Sequence, residues 1–91
     1  MALGIYFAPP SMSAEQYDET IRRLAAAGQG APPGRLYHVA FSGGSGLQVF
    51  DVWDSQESFD TFGQTLMPIL AELGLDPGQP QVSEVHNIIQ G

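Results

Sequence analysis

The sequence contains no cysteine and no lysine. Without thiols there is no disulfide framework, no thiolate zinc site and no cysteine nucleophile. Without lysine, Arg22, Arg23 and Arg35 stand alone against ten acidic side chains, for a net charge of −7. A protein that grips a phosphate backbone needs a cationic stripe to release counterions, and none is present. Nucleic acid is therefore excluded as a partner, and anionic membrane surfaces are disfavoured on the same electrostatic ground. No apolar run approaches the ~20 residues of a membrane span. The apolar start from Leu3 to Phe7 lacks a basic region and meets Pro9-Pro10 too early for a signal peptide. A cytoplasmic protein is the expectation.

What is present is enough for one core. The chain has 91 residues, 43% of them hydrophobic, which is one domain's worth of sequence and too rich in apolar residues for disorder. Leu3 to Ala8 reads as a strand ended by Pro9-Pro10. Ser13-Ala14-Glu15-Gln16 has the form of a capping box, and Tyr17, Ile21, Leu24 and Ala25 follow at helical spacing until Gly28. After a loop rich in proline and glycine, Arg35–Phe41 and Leu47–Trp53 read as strands. They are joined by the hairpin Ser42-Gly43-Gly44-Ser45-Gly46, which opens no helix and so is no phosphate cradle. Asp54 or Ser55 caps a second helix whose apolar stripe is Phe59, Phe62, Leu66, Ile69, Leu70 and Leu73. Pro68 lies within that stripe and predicts a kink or break around Thr65–Met67. Gly74 closes the helix, and Val82 to Ile89 reads as the last strand.

The order β-α-β-β-α-β with right-handed crossovers predicts an α+β, ferredoxin-like fold: a four-stranded antiparallel sheet in the order 4-1-3-2 with both helices on one face. The other face is left bare. Strand alternation suggests Tyr6, Val49, Asp51 and Trp53 for that face, and an apolar patch of this kind implies that a second copy covers it about a two-fold axis.

Phe50-Asp51-Val52-Trp53-Asp54-Ser55-Gln56-Glu57-Ser58-Phe59 resembles the dimeric α/β-barrel superfamily, in particular antibiotic-biosynthesis-monooxygenase-like (ABM-like) domains. In these, the third strand ends in an acidic residue, an apolar residue and Trp, followed by a capped helix. The resemblance implies a homodimer whose barrel holds a small aromatic or polyketide-like molecule. It further implies a cofactor-independent oxygenase, or a related isomerase or cyclase, with no cofactor and no metal. Members of the family often carry a histidine on the second helix nine residues after the Trp; here that position is Phe62. Neither helix contains a histidine, which counts against haem.

The candidate site residues follow from residue type. Tyr6 and Trp53 are the aromatics that would stack on a planar ligand, or else simply pack a dimer interface. His38 and Asp51 lie on neighbouring strands. If their register puts them on one face they form a histidine–carboxylate pair, a general base in a dry cavity; a one-residue slip would separate them. His86 and Asn87, read on the last strand, would contact substrate, Asn87 by donating to a carbonyl or developing oxyanion. His38, His86 and Asp51 or Glu84 supply the residue types of a facial metal triad, but their spacing does not form one. Three readings remain open at this level: an enzyme, a ligand-binding or accessory dimer, and a barrel packed solid by side chains.

Overall fold

The computed structural model describes residues 2–43 and 46–91. The elements run β1 (Leu3–Phe7), α1 (Ala14–Ala26), β2 (Arg35–Gly43), β3 (Gly46–Trp53), α2 (Gln56–Glu72) and β4 (Gln81–Glu84). The sheet order is β2-β3-β1-β4, all pairs antiparallel. This is the predicted 4-1-3-2 arrangement read from the other edge, and both helices pack on one face of it.

Both helices start and stop where local chemistry dictates. Ser13 and Gln16 form the reciprocal capping box of α1, and Ser55 Oγ accepts from the Ser58 amide at the start of α2. At the other ends, Gly28 and Gly74 adopt φ values of +80° and +66°. The amides of Gln29 and Leu75 then bond the carbonyls of Leu24 and Leu70, the double closure that only a left-handed residue allows. Arg23 ties the two helices together through Glu72 at 3.0 Å.

Several expectations need correcting. First, α2 runs through Pro68 without a break. The carbonyl that loses its amide partner belongs to Gln64, and both residues are exposed, so water can take that bond. Second, Ala25 is exposed and adds nothing to the inner face of α1. Third, β4 ends at Glu84 and not at Ile89. Its partner β1 begins at Leu3, opposite Glu84, and the last link is the Val85 amide to the Ala2 carbonyl. The hairpin is also tighter than predicted, because pairing continues to Gly43 opposite Gly46; Gly44 and Ser45 lie outside the described residues.

Ile5 and Trp53 are fully buried beneath the helices, with Leu24 and Phe62 packed on them. The Trp53 ring meets Phe59 edge-on at 5.7 Å and Phe62 at 5.1 Å. Because Ile5 faces Asp51 and Leu3 faces Trp53 in the β1–β3 register, the whole row Val49, Asp51 and Trp53 points into this core. The expectation that these three residues occupy the bare face is overturned. The one acid in this otherwise apolar row finds enough partners inside to be buried. The opposite face carries Tyr6, Gln48, Phe50, Val52, Tyr37, Val39 and Phe41; the C-terminal tail from Val85 lies beside part of it, and Val52 there is buried. Gly4 belongs to that face too, and the Phe50 ring lies so close that a Cβ there would meet it at 3.0 Å. Among the described residues no helix is long and apolar enough to cross a membrane.

Candidate active site

The β2–β3 register answers the question the sequence left open. His38 stands directly opposite Asp51, so both side chains point toward the helices. His38 Nδ1 lies 2.5 Å from Asp51 Oδ1, and Trp53 Nε1 donates to the other carboxylate oxygen at 3.3 Å. Asp51 is only 3% exposed. Burying an ionised carboxylate is costly unless its oxygens are bonded, and here both are. The i, i+2 spacing of Asp51 and Trp53 on one strand face makes the second bond possible.

The fourth member comes from a helix. Tyr17, in the first turn of α1, places its hydroxyl 2.7 Å from His38 Nε2. Burial holds the Tyr17 phenol above its ordinary value of 10.0; the nearby charge of Arg35 pulls the other way, while Asp51 and Asp18 add to the rise. The hydroxyl is therefore protonated at neutral pH and can donate to Nε2 when the imidazole is neutral. Asp51, as a carboxylate, can only accept, so Nδ1 carries the imidazole proton. The result is a directed chain in which Tyr17 donates to His38 and His38 donates to Asp51, with Trp53 fixing the carboxylate from behind.

This chain lies in the wall of an almost wholly apolar pocket between sheet and helices, of about 70 Å³. Phe7, Ile21, Leu24, Val49, Phe62 and Leu66 supply most of the lining, and Pro9, Met12 and Pro77 come from the loops at one end. Gly46 is where that end is fastened: the Leu47 amide bonds the Met12 carbonyl at 2.9 Å, and a Cβ on Gly46 would sit 2.7 Å from the same oxygen. At roughly 10–15 Å³ per water, the pocket holds about five waters or one ring-sized body. A larger substrate must extend through its mouth.

The sequence-derived site residues thus fall into two groups. His38 and Asp51 line the pocket, while Trp53 is packed in the core behind Asp51 and does not line it. Tyr6, His86 and Asn87 lie apart from these: they line a shallow groove on the bare face of the sheet, with the sheet itself between them and His38. Tyr6 bonds Gln48 there, while His86 and Asn87 are exposed and follow β4 instead of belonging to it. Tyr17 and Arg35 were missed. By spacing alone Tyr17 belongs to the apolar stripe of α1; the signal for its role is that a tyrosine on an inward helical face needs a partner for its hydroxyl, and His38 is an available one. Among the described residues no group of three His, Asp or Glu side chains is placed to hold a metal ion.

The fold is the one seen in solved structures described as antibiotic biosynthesis monooxygenases. A proposed antibiotic biosynthesis monooxygenase from Chloroflexus aurantiacus superposes with a TM-score of 0.66 at 18% identity, covering 100% of both chains. SnoaB, a cofactor-independent oxygenase from Streptomyces nogalater, gives 0.61 at 15% identity over 99% of this chain and 96% of its own. A protein of unknown function from Nitrosomonas europaea gives 0.57 at 19% identity over 99% and 90%. No protein-family model matches the sequence, and no curated protein is significantly similar to it. At these identities the likeness is one of fold.

Proposed function

We propose that the protein is a small-molecule enzyme of the ABM-like type, a cofactor-independent monooxygenase acting on an enolisable aromatic or polyketide-like substrate, and that it works as a homodimer. The observation that carries this reading is the Tyr17–His38–Asp51 chain in an apolar pocket, a proton acceptor where little water competes. Tyr17 passes its proton to His38 as it takes one from a substrate C–H; Asp51 balances the imidazolium that forms. The resulting carbanion gives one electron to dioxygen, and carbon and superoxide combine into a peroxide that recovers a proton from Tyr17. The O–O bond then breaks as the second C–H proton leaves. One oxygen stays as a carbonyl, and the other departs as water with both substrate hydrogens. A ligand-binding role without chemistry would want a pocket free of such a polar chain. The fold of SnoaB, itself a cofactor-independent oxygenase, lends the reaction class further support.

The homodimer is supported by what the bare face exposes. Tyr37 is 53% exposed and Phe41 40%, and Ile89 in the C-terminal tail is 82% exposed; aromatic and aliphatic groups crowded on one sheet face mark an interaction surface.

The test is oxygen uptake with a panel of anthrone-like ketones, comparing the wild type with Tyr17→Phe. The phenylalanine keeps the ring and removes only the proton. A loss of about 10²–10⁴-fold in turnover is expected for a lost acid–base group. Turnover unchanged in this variant overturns the relay.

A further inference from the structure

β2 contains an irregularity that decides where Arg35 points. His38 faces Asp51 and Tyr37 faces Val52, so regular pairing would continue with Leu36 opposite Trp53 and Arg35 opposite Asp54. Instead Arg35 pairs with Trp53, and Leu36 is the extra residue of a bulge. Successive side chains alternate between faces, so one inserted residue reverses everything beyond it. Arg35 is thereby turned from the bare face to the helix face, where it lines the pocket beside Tyr17, His38 and Asp51. Leu36 is left 52% exposed, an apolar loss that the local fold accepts to keep the arginine inside.

The three arginines are not equivalent. Arg22 and Arg23 are bound by Glu19, and Arg23 also by Glu72. Arg35 donates to the Gly30 carbonyl at 3.2 Å, and among the described residues no carboxylate lies within ion-pair distance of it. A guanidinium has five N–H donors in a planar fork matched to oxyanions, and among the described residues the Gly30 carbonyl is the one acceptor it meets. In a chain of net charge −7, acids to satisfy it are plentiful elsewhere. Its charge already reaches the reacting end of the pocket, since it opposes the rise at the Tyr17 phenol.

We infer that Arg35 is the oxyanion-holding residue of this pocket, selecting ligands that carry an acidic oxygen, an enol or phenol conjugated to the carbon that loses its proton. This deepens the proton-relay reading and rests on it for the chemistry. The oxygen sits on the guanidinium while the carbon faces Tyr17, and the negative charge that develops on deprotonation spreads onto an oxygen already held by a fixed cation. The same cation offsets the repulsion that the acidic chain exerts on an anionic ligand.

The experiment is calorimetric binding at neutral pH of two single-ring probes that fit the pocket. Cyclohexane-1,3-dione is ionised there as an enolate, and its neutral enol ether, 3-methoxycyclohex-2-en-1-one, has the same ring without the acidic proton. The wild type is expected to bind the enolate at least about tenfold more tightly than the ether, the scale of one charge-assisted hydrogen bond. Arg35→Gln is expected to abolish that preference. Arg35→Lys, which keeps the charge and loses the fork, should retain part of it and guards against a folding defect in the glutamine variant. Equal affinities in the wild type, binding of neither probe, or a preference that survives in Arg35→Gln would overturn the inference. Tyr17→Phe separates the two claims, because it should lose turnover while still preferring the enolate. A Tyr17→Phe variant with full turnover would remove the relay and leave the anion preference as an independent result.

Discussion

The phenol ring of Tyr17 and the imidazole of His38 lie within 7° of parallel, their centroids 6.0 Å apart, with the hydroxyl 2.7 Å from Nε2. Near-parallel rings at this separation bring the O–H toward the imidazole plane, where the Nε2 lone pair lies. The alignment holds because each ring is fixed by a different element: Tyr17 by the first turn of α1 and His38 by its pairing with Asp51 across the β2–β3 ladder. The geometry belongs to the fold and does not wait for a ligand.

Asp51 controls which imidazole nitrogen carries the proton. Replacing it by asparagine puts an amide in nearly the same volume, but the amide can present N–H to Nδ1. The imidazole proton then moves to Nε2, which can no longer accept from Tyr17. Asp51→Asn is therefore expected to stay folded and to lower turnover by about 10²–10⁴-fold. Imidazole ¹⁵N shifts should report protonated Nδ1 in the wild type and protonated Nε2 in the variant. A variant that keeps both the wild-type tautomer and its activity would remove Asp51 from the relay.

The element order was readable because each boundary has a local cause. Ser13 with Gln16, Gly28 and Gly74 act within a few residues, and so do the apolar stripes of the helices. The fold class followed from connection handedness. The contents of the two sheet faces were not readable in the same way. Alternation shows that Val49, Asp51 and Trp53 share a side; it does not say which side. What decides it is non-local: Asp51's partner His38 lies 13 residues away, on another strand. Tyr17 is more remote still, 21 residues from His38. Arg35 was hidden for a different reason, since the bulge at Leu36 has no glycine or proline to mark it, and without it the parity of β2 points the arginine away from the pocket.

Glu19 sets an acid limit on the link between the two helices. Hydrogen bonds from Arg22 and then Arg23 lower its pKa from 4.5 to about 2, and Arg23 carries the link on to Glu72. A group whose pKa is lower in the folded state stabilises above its unfolded value and loses that contribution as pH falls toward the folded one. The wild type should therefore melt above Glu19→Gln at neutral pH, with the difference shrinking from pH 4.5 down to about 2. The Arg22 side chain is largely exposed and those of Glu19 and Arg23 are partly so, so the difference is small and is screened by salt. A gap in melting temperature that stays constant across this window would show that Glu19 acts by packing and not by charge.

Phe41 tests the bare face without touching the pocket. It sits near the end of β2, 40% exposed, on the side of the sheet away from Tyr17, His38 and Asp51. Phe41→Asp breaks no contact in the Ile5–Trp53 core, so the monomer should fold as before. In a two-fold dimer the same change places an unpaired carboxylate in the interface from each copy, and desolvating two such charges costs several kcal/mol. Sedimentation at micromolar concentration is expected to give twice the 9.8 kDa chain mass for the wild type and the single-chain mass for the variant. A wild-type monomer would sink the dimer. It would not sink the relay, because the pocket lies under the helices of one chain and its walls need no partner; a monomeric Phe41→Asp protein should still deprotonate substrate.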